Sequence, residues 1–255
     1  MISKNQIKYI QSLHSKKNRE EEGLFIVEGI KMVTEFIQHQ KFEVTELFAT
    51  ADYINDYRRI LTDNFIKFSE VTTDELKKIS LLTSPNQVLA IAKITVTTLN
   101  IDLLKSATTL FLDDIRDPGN LGTIIRIADW FGIKQVFCSP NTTEIYNPKT
   151  LQASMGAVLR VNVLSIPFSE LLNHGVNVPV YGALLEGANI YTTTLKHGII
   201  IIGNEANGIS SEVLNYITNP ITIPAAGSNG SESLNAANAC AIICSEFHRQ
   251  LNYSS

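Results

Sequence analysis

The chain has 255 residues, of which 44% are hydrophobic and 18% charged, with a formal net charge of −4. That length is too great for one small core and suits two domains, and the slight acidity argues against nucleic-acid binding over the whole surface. Three cysteines, an odd number at unremarkable positions, argue against a disulfide framework and fit a reducing compartment. No run is long and apolar enough to span a bilayer: "GIIII" at 198–202 has strand length. The opening residues "MISKNQIKYIQ" lack a signal-type apolar stretch, so a soluble, cytoplasmic protein is expected.

In chain order, "NQIKYIQSL" places Ile7, Ile10 and Leu13 on one helical face. The first nineteen residues hold Lys4, Lys8, Lys16, Lys17 and Arg19 without an acid, followed by Glu20, Glu21 and Glu22. Such a segment reads either as a phosphate-binding patch or as a solvated helix face. "LFIVEG" predicts a strand stopped by Gly29, "KMVTEFIQ" a helix, "VTELFAT" a strand, "DYINDYRRIL" a helix and "NFIKFS" a strand. "TDELKKI" opens with a cap and predicts a short helix, and "QVLAIAKI" closes a small α/β domain over 1–94. The Thr-rich stretch 95–106 is the expected linker, and a second domain follows over 107–255. It begins with the strand "TTLFLDD" and a helix over 120–131 that stops at Gly132. Strands are predicted at "KQVFCS", "LRVNVLS", "VPVYGALL", "GIIIIGN" and "ITIP", with helices around 150–157, 168–173 and 210–216 and a last one at the C-terminus. Strands so continuously apolar are buried on both faces, which predicts a parallel sheet with helices on each side.

In an open parallel sheet ligands bind beyond the carboxyl ends of the strands, and three polar loops follow strands of the second domain. In "DDIRDPGNLGTIIRIADWFG", Asn120 is a candidate cap, and Gly122, Arg126 and Asp129 fall on one helical face. Arg126 there would meet a phosphate or sugar, or simply pair with Asp129. In "GIIIIGNEANGIS", Gly203 and Gly208 permit close backbone approach and Glu205 is the one charge beside a central strand end. Ser210 and Glu212 are accounted for as the start of a helix. In "ITIPAAGSNGSESLNAANACAIICSEF" a long run of small polar residues separates a buried strand from an apolar helix, with Ser233 and Asn235 at the helix mouth. Cys240 and Cys244, four apart, have a spacing that metal ligands use, but no His or Asp stands near them in sequence, so they read as small core residues and no metal is expected.

Taken together, these loops resemble the SpoU/TrmH branch of the SPOUT RNA methyltransferases. The matching features are Asn120 six residues before Arg126, the strand ending in "GNEANG", and "IPAAGSNGSESLN" with Ile-Pro before Ser-Leu-Asn. The first domain is similar to an accessory RNA-binding domain related to kink-turn-binding ribosomal proteins, on its opening "SKNQIKYIQSLHSKKNREEEGLFIVEG". The resemblance implies a deep trefoil knot, through which small residues thread easily, and a homodimer formed at the knot. It implies transfer of a methyl group from S-adenosylmethionine to a ribose 2′-hydroxyl, in ribosomal RNA first and transfer RNA second. It assigns catalysis to Asn120, Arg126, Glu205, Ser233 and Asn235. It assigns the cofactor to Leu184, Gly203, Asn204, Glu205, Gly208, Ile223 and Leu234, and the RNA side to Arg126; the five cations before Glu20 point to Lys16, Lys17 and Arg19 as further RNA contacts. The stretch between Ile-Pro and Ser-Leu-Asn, 225–232, is longer here than in many members. A nucleotide-dependent Rossmann enzyme would need G-x-G-x-x-G after its first strand, and none is present. A non-catalytic RNA-binding protein is the other alternative; the joint presence of the five catalytic-type residues weighs against it.

Overall fold

The computed structural model describes residues 2–174, 177–227 and 233–253. By packing, the chain forms two units: Met1–Val96 with Tyr146–Leu159, and Thr97–Ile145 with Arg160–Ser255.

The first unit contains α1 (Lys4–Ser12), α2 (Lys16–Glu22), β1 (Leu24–Glu28), α3 (Ile30–His39), β2 (Val44–Ala49), α4 (Ala51–Asp56), α5 (Arg58–Asp63), β3 (Phe68–Glu70), α6 (Thr73–Ile79) and β4 (Val88–Lys93). Local chemistry explains the boundaries. Ser3 with Gln6 and Thr72 with Glu75 form reciprocal capping boxes that start α1 and α6. Gly23, at φ +66°, ends α2. The sheet runs β1-β4-β2-β3, with β4 antiparallel to both neighbours and β3 parallel to β2. α3 buries Met32, Val33, Phe36 and Ile37 in the core. The single helix expected from "DYINDYRRIL" is two short ones, broken at Tyr57, whose ring stacks on Tyr53 at 4.5 Å. The strand expected from "NFIKFS" starts only at Phe68, because Phe65 takes a left-handed φ of +53°.

In the second unit α7 (Ile101–Ser106) occupies part of the expected linker and buries Leu104. Then come β5 (Thr109–Leu112), α8 (Pro118–Trp130) and β6 (Gln135–Cys138). The segment that follows, with α9 (Pro148–Ser154), packs in the first unit rather than with the domain that the sequence suggests. There the Tyr146 ring lies 4.7 Å from that of Phe25, Gln152 donates to the Glu28 carbonyl at 2.9 Å, and Lys41 Nζ donates to the Val158 carbonyl at 2.8 Å. The chain returns with β7 (Asn162–Ser165), α10 (Phe168–Leu172), β8 (Val180–Asn189), β9 (Ile199–Ile202), α11 (Ser211–Leu214), β10 (Asn219–Thr222) and α12 (Ala236–Tyr253).

The second sheet has six strands in the order β10-β8-β9-β5-β6-β7, and every adjacent pair is parallel. Every residue of β5, β6 and β9 is buried, as the continuous apolar runs require. After β5 the chain builds outward through β6 and β7, then returns to the other side of β5 for the remaining strands. The switch therefore lies between β5 and β9. The carboxyl ends of β10, β8, β9 and β5 are neighbours along one edge, where a parallel sheet holds its ligands.

Candidate active site

α8 begins at Pro118. The cap is Asp117, which accepts from the Asn120 N–H at 2.9 Å, and not Asn120 as the sequence suggested. The Asp-Pro pair carried the missed signal, since Asp suits the cap and Pro the first helical position. Leu121, Gly122, Ile124, Ile125 and Ala128 are buried, while Arg126 is exposed. Asp129, the alternative partner for Arg126 in the sequence, accepts from Arg160 Nε at 2.8 Å.

β9 ends at Gly203, where the chain folds back sharply. A Cβ on Gly203 would lie 2.4 Å from the Gly208 carbonyl carbon and 2.5 Å from the Ile209 nitrogen, so only glycine fits. Asn204 and Gly208 exchange both backbone hydrogen bonds at 2.9 Å. Gly208 sits at φ +67°. Inside this loop the Asn204 side chain accepts from the N–H groups of Ala206 at 2.9 Å and Asn207 at 3.0 Å, and it donates to the Asp114 carbonyl at 2.8 Å. Its amide and its backbone are thus both engaged within the loop and its anchor on Asp114.

The third loop is described through Gly227 and again from Ser233. The stretch 228–232, part of the longer run 225–232 noted in the sequence, lies outside the described residues. Asn235 caps α12, accepting from the N–H groups of Ala237 at 2.9 Å and Asn238 at 3.3 Å. Ser233 and Leu234 are exposed.

The three loops meet at one side chain. Asn120 Nδ2 donates to Glu205 at 2.5 Å, and Asn120 Oδ1 accepts from Asn235 Nδ2 at 3.0 Å. Its backbone is already anchored by Asp117, so the whole amide is available to bridge. The bond to Glu205 is charge-assisted, the stronger kind.

Next to this junction β8 departs from regular pairing. Its register on β10 passes from Gly182↔Pro220 to Ala188↔Ile221, so residues 183–187 bulge out. Leu184 is half-buried against the core, and Leu185 is 76% exposed. The Leu185 carbonyl accepts from Thr222 Oγ1 at 3.0 Å, which ties the bulge to the end of β10, where Ile223 is half-buried.

All three cysteines are buried. Burial pushes the Cys138 thiol up to about 12. Hydrogen bonding with Cys244, 3.8 Å away, and burial push Cys240 well above the ordinary thiol range. No group of His, Cys, Asp and Glu fit to hold a metal ion occurs among the described residues.

In the first unit, Lys16 and Lys17 are exposed and lie 3.6 and 3.8 Å from Glu20 and Glu21, one helical turn on. Arg19 is not on that surface: it is 1% exposed, and its guanidinium donates to the Leu13 carbonyl at 2.7 Å. The helical turn that exposes the two lysines points Arg19 inward, so it ties α2 to the end of α1 rather than meeting RNA.

The pattern of the SpoU rRNA Methylase family matches residues 107–245, and that of the MRM3-like substrate binding domain matches residues 4–90. The chain is 29% identical, over 94% of its own length and 95% of the relative's, to the 23S rRNA (guanosine(2553)-2′-O)-methyltransferase RlmP of Bacillus subtilis. Among solved structures, a TrmH-family chain from Porphyromonas gingivalis is 37% identical with a TM-score of 0.86, covering 98% of this chain and 99% of that one. An AdoMet-bound rRNA methyltransferase from Sinorhizobium meliloti is 26% identical with a TM-score of 0.86, covering 100% of this chain and 98% of that one.

Proposed function

The chain belongs to the SpoU rRNA Methylase family, and we infer that the junction at Asn120 is the centre of a site that methylates a ribose 2′-hydroxyl of ribosomal RNA. The observation that carries this reading is the meeting of three distant loops at one amide, Glu205–Asn120–Asn235.

S-adenosylmethionine, when bound, supplies an already electrophilic methyl group. The residues present suit it. The irregular backbone of 183–187, 203–208 and 223–227 offers donors and acceptors at three neighbouring strand ends, with Ala225, Ala226 and Gly227 too small to obstruct. Leu185 and Leu234, both exposed, offer apolar surface to a purine. Asn120, with Glu205, Asn235 and Ser233, orients the ribose. Arg126 holds the neighbouring phosphate and stabilises the developing alkoxide. A guanidinium stays protonated in proteins, so this electrostatic role suits it better than that of a free base. Positioning of hydroxyl against methyl contributes much of the acceleration.

The first unit holds the RNA, through a fold related to kink-turn-binding ribosomal proteins. Lys16 and Lys17 contact phosphates, because their exposed pairs with glutamates are weak and easily exchanged. The second unit has the trefoil-knotted topology of the family, and two copies associate through α8 and α12. The test is calorimetry with S-adenosylhomocysteine together with methyl transfer to ribosomal and transfer RNA. Arg126→Ala is expected to lose methyl transfer by about a hundredfold or more, as removal of a transition-state donor does, with cofactor affinity unchanged. A folded parent chain that methylates neither RNA would overturn the reading.

A further inference from the structure

The loop 203–210 carries Glu205 and is closed on itself by the paired backbones of Asn204 and Gly208. It is fastened at both ends, and both fastenings reach the end of β5. Near its start, Asn204 donates to the Asp114 carbonyl at 2.8 Å while its oxygen gathers the Ala206 and Asn207 N–H groups. At its far end, the Ser210 N–H donates to Asp113 Oδ2 at 2.7 Å. Asp113 is 3% exposed. A carboxylate buried so deeply is costly unless a specific bond compensates it.

The anchor is itself held. Asp114 has a left-handed φ of +57°, uncommon for a residue with a side chain. Its N–H donates to Ser139 Oγ at 2.8 Å. That hydroxyl lies 3.2 Å from Thr142 Oγ1, which in turn donates to the Leu112 carbonyl at 3.0 Å. Ser139 and Thr142 are both buried. The ends of β6, β5 and β9 are thus linked by one run of polar contacts that leads to Glu205.

We propose that Asp113 and Asn204 are positioning residues, which clamp the loop 203–210 to the end of β5 so that Glu205 meets Asn120 and the loop backbone keeps the shape that accepts S-adenosylmethionine. Neither side chain touches the cofactor. This rests on the reading of that loop as part of the cofactor site.

The test uses the full chain, with S-adenosylhomocysteine affinity by calorimetry, the KM for S-adenosylmethionine and kcat in RNA methylation, and circular dichroism to confirm folding. Asp113→Ala removes the acceptor for Ser210, and Asn204→Ala removes all three loop bonds. Each is expected to weaken cofactor affinity and raise that KM by about tenfold or more, the cost of leaving buried backbone groups unpaired. Asp113→Asn keeps an acceptor in place and is expected to recover affinity to within about threefold of the parent, since a neutral acceptor replaces a charged one. Folded Ala variants that bind like the parent would overturn the proposal. So would equal losses in Asp113→Ala and Asp113→Asn, which would place the carboxylate itself against the cofactor. If Asp113→Ala does not fold, Asn204→Ala and Asp113→Asn carry the test. A parent chain that ignores S-adenosylhomocysteine would overturn the cofactor reading, and this proposal with it.

Discussion

Asn120 shows how one residue's work depends on its neighbour's. With Asp117 taking the capping role, the Asn120 amide can donate to Glu205 and accept from Asn235 at once. Asn120→Asp is nearly isosteric but replaces the donor with a second carboxyl group facing Glu205. Two carboxylates so close repel each other, and the pair is relieved when it takes up a shared proton. Methyl transfer is expected to fall by about tenfold or more at neutral pH, from loss of a charge-assisted bond and gain of repulsion. Part of it should return on acidification, as the shared proton restores a hydrogen bond. Rate measurements across pH check this, and a variant with the parent's rate and profile would remove Asn120 from the site.

At the scale of elements, the decisive feature is how β9 ends. Four buried isoleucines run straight into Gly203, and the chain must then reverse within the space left by Gly208. Gly203→Ala would force a methyl group into backbone, not into a side chain that could rotate away. The expected loss of stability is about 2 kcal/mol, typical of overpacking, along with most of the cofactor affinity. Gly227 is the control for stability, because a Cβ added there meets nothing within 4 Å. Thermal melts of Gly203→Ala and Gly227→Ala should therefore separate clearly. Coincident melts would mean that the turn is more yielding than its geometry implies.

For the whole molecule, assembly is the property most open to test. α8 and α12 pack together in the second unit and end in aromatic groups. The Phe131 and His248 rings lie 5.7 Å apart, and those of His248 and Tyr253 5.5 Å. Beside them Trp130 is 85% exposed. Exposed aromatics of this kind are enriched where surfaces associate, and a two-fold contact would bury the same patch on both copies. Light scattering is expected to give a dimer for the parent and a monomer for Trp130→Glu, with circular dichroism unchanged because this side chain contributes little to the monomer's core. A parent chain that scatters as a monomer at working concentration would count against the interface.

The sequence by itself determined the parallel sheet of the second unit, since runs such as Ile199–Ile202 leave no face for water. It also determined the three loops, because glycine, proline and small polar residues break helices and strands wherever they cluster. These are local matters, decided by neighbours within a turn or a pleat. Only the tertiary structure decided the partners. Glu205 and Asn235 stand 85 and 115 residues from Asn120, and only the ordering of parallel strands brings their loops to one edge. Arg160 reached Asp129 from 31 residues away, Arg19 turned inward although two exposed lysines stand beside it, and Tyr146–Leu159 packed away from its sequence neighbours. In each case a side chain's partner was set by which surfaces the chain path brought together, and periodicity along the chain carries no record of that.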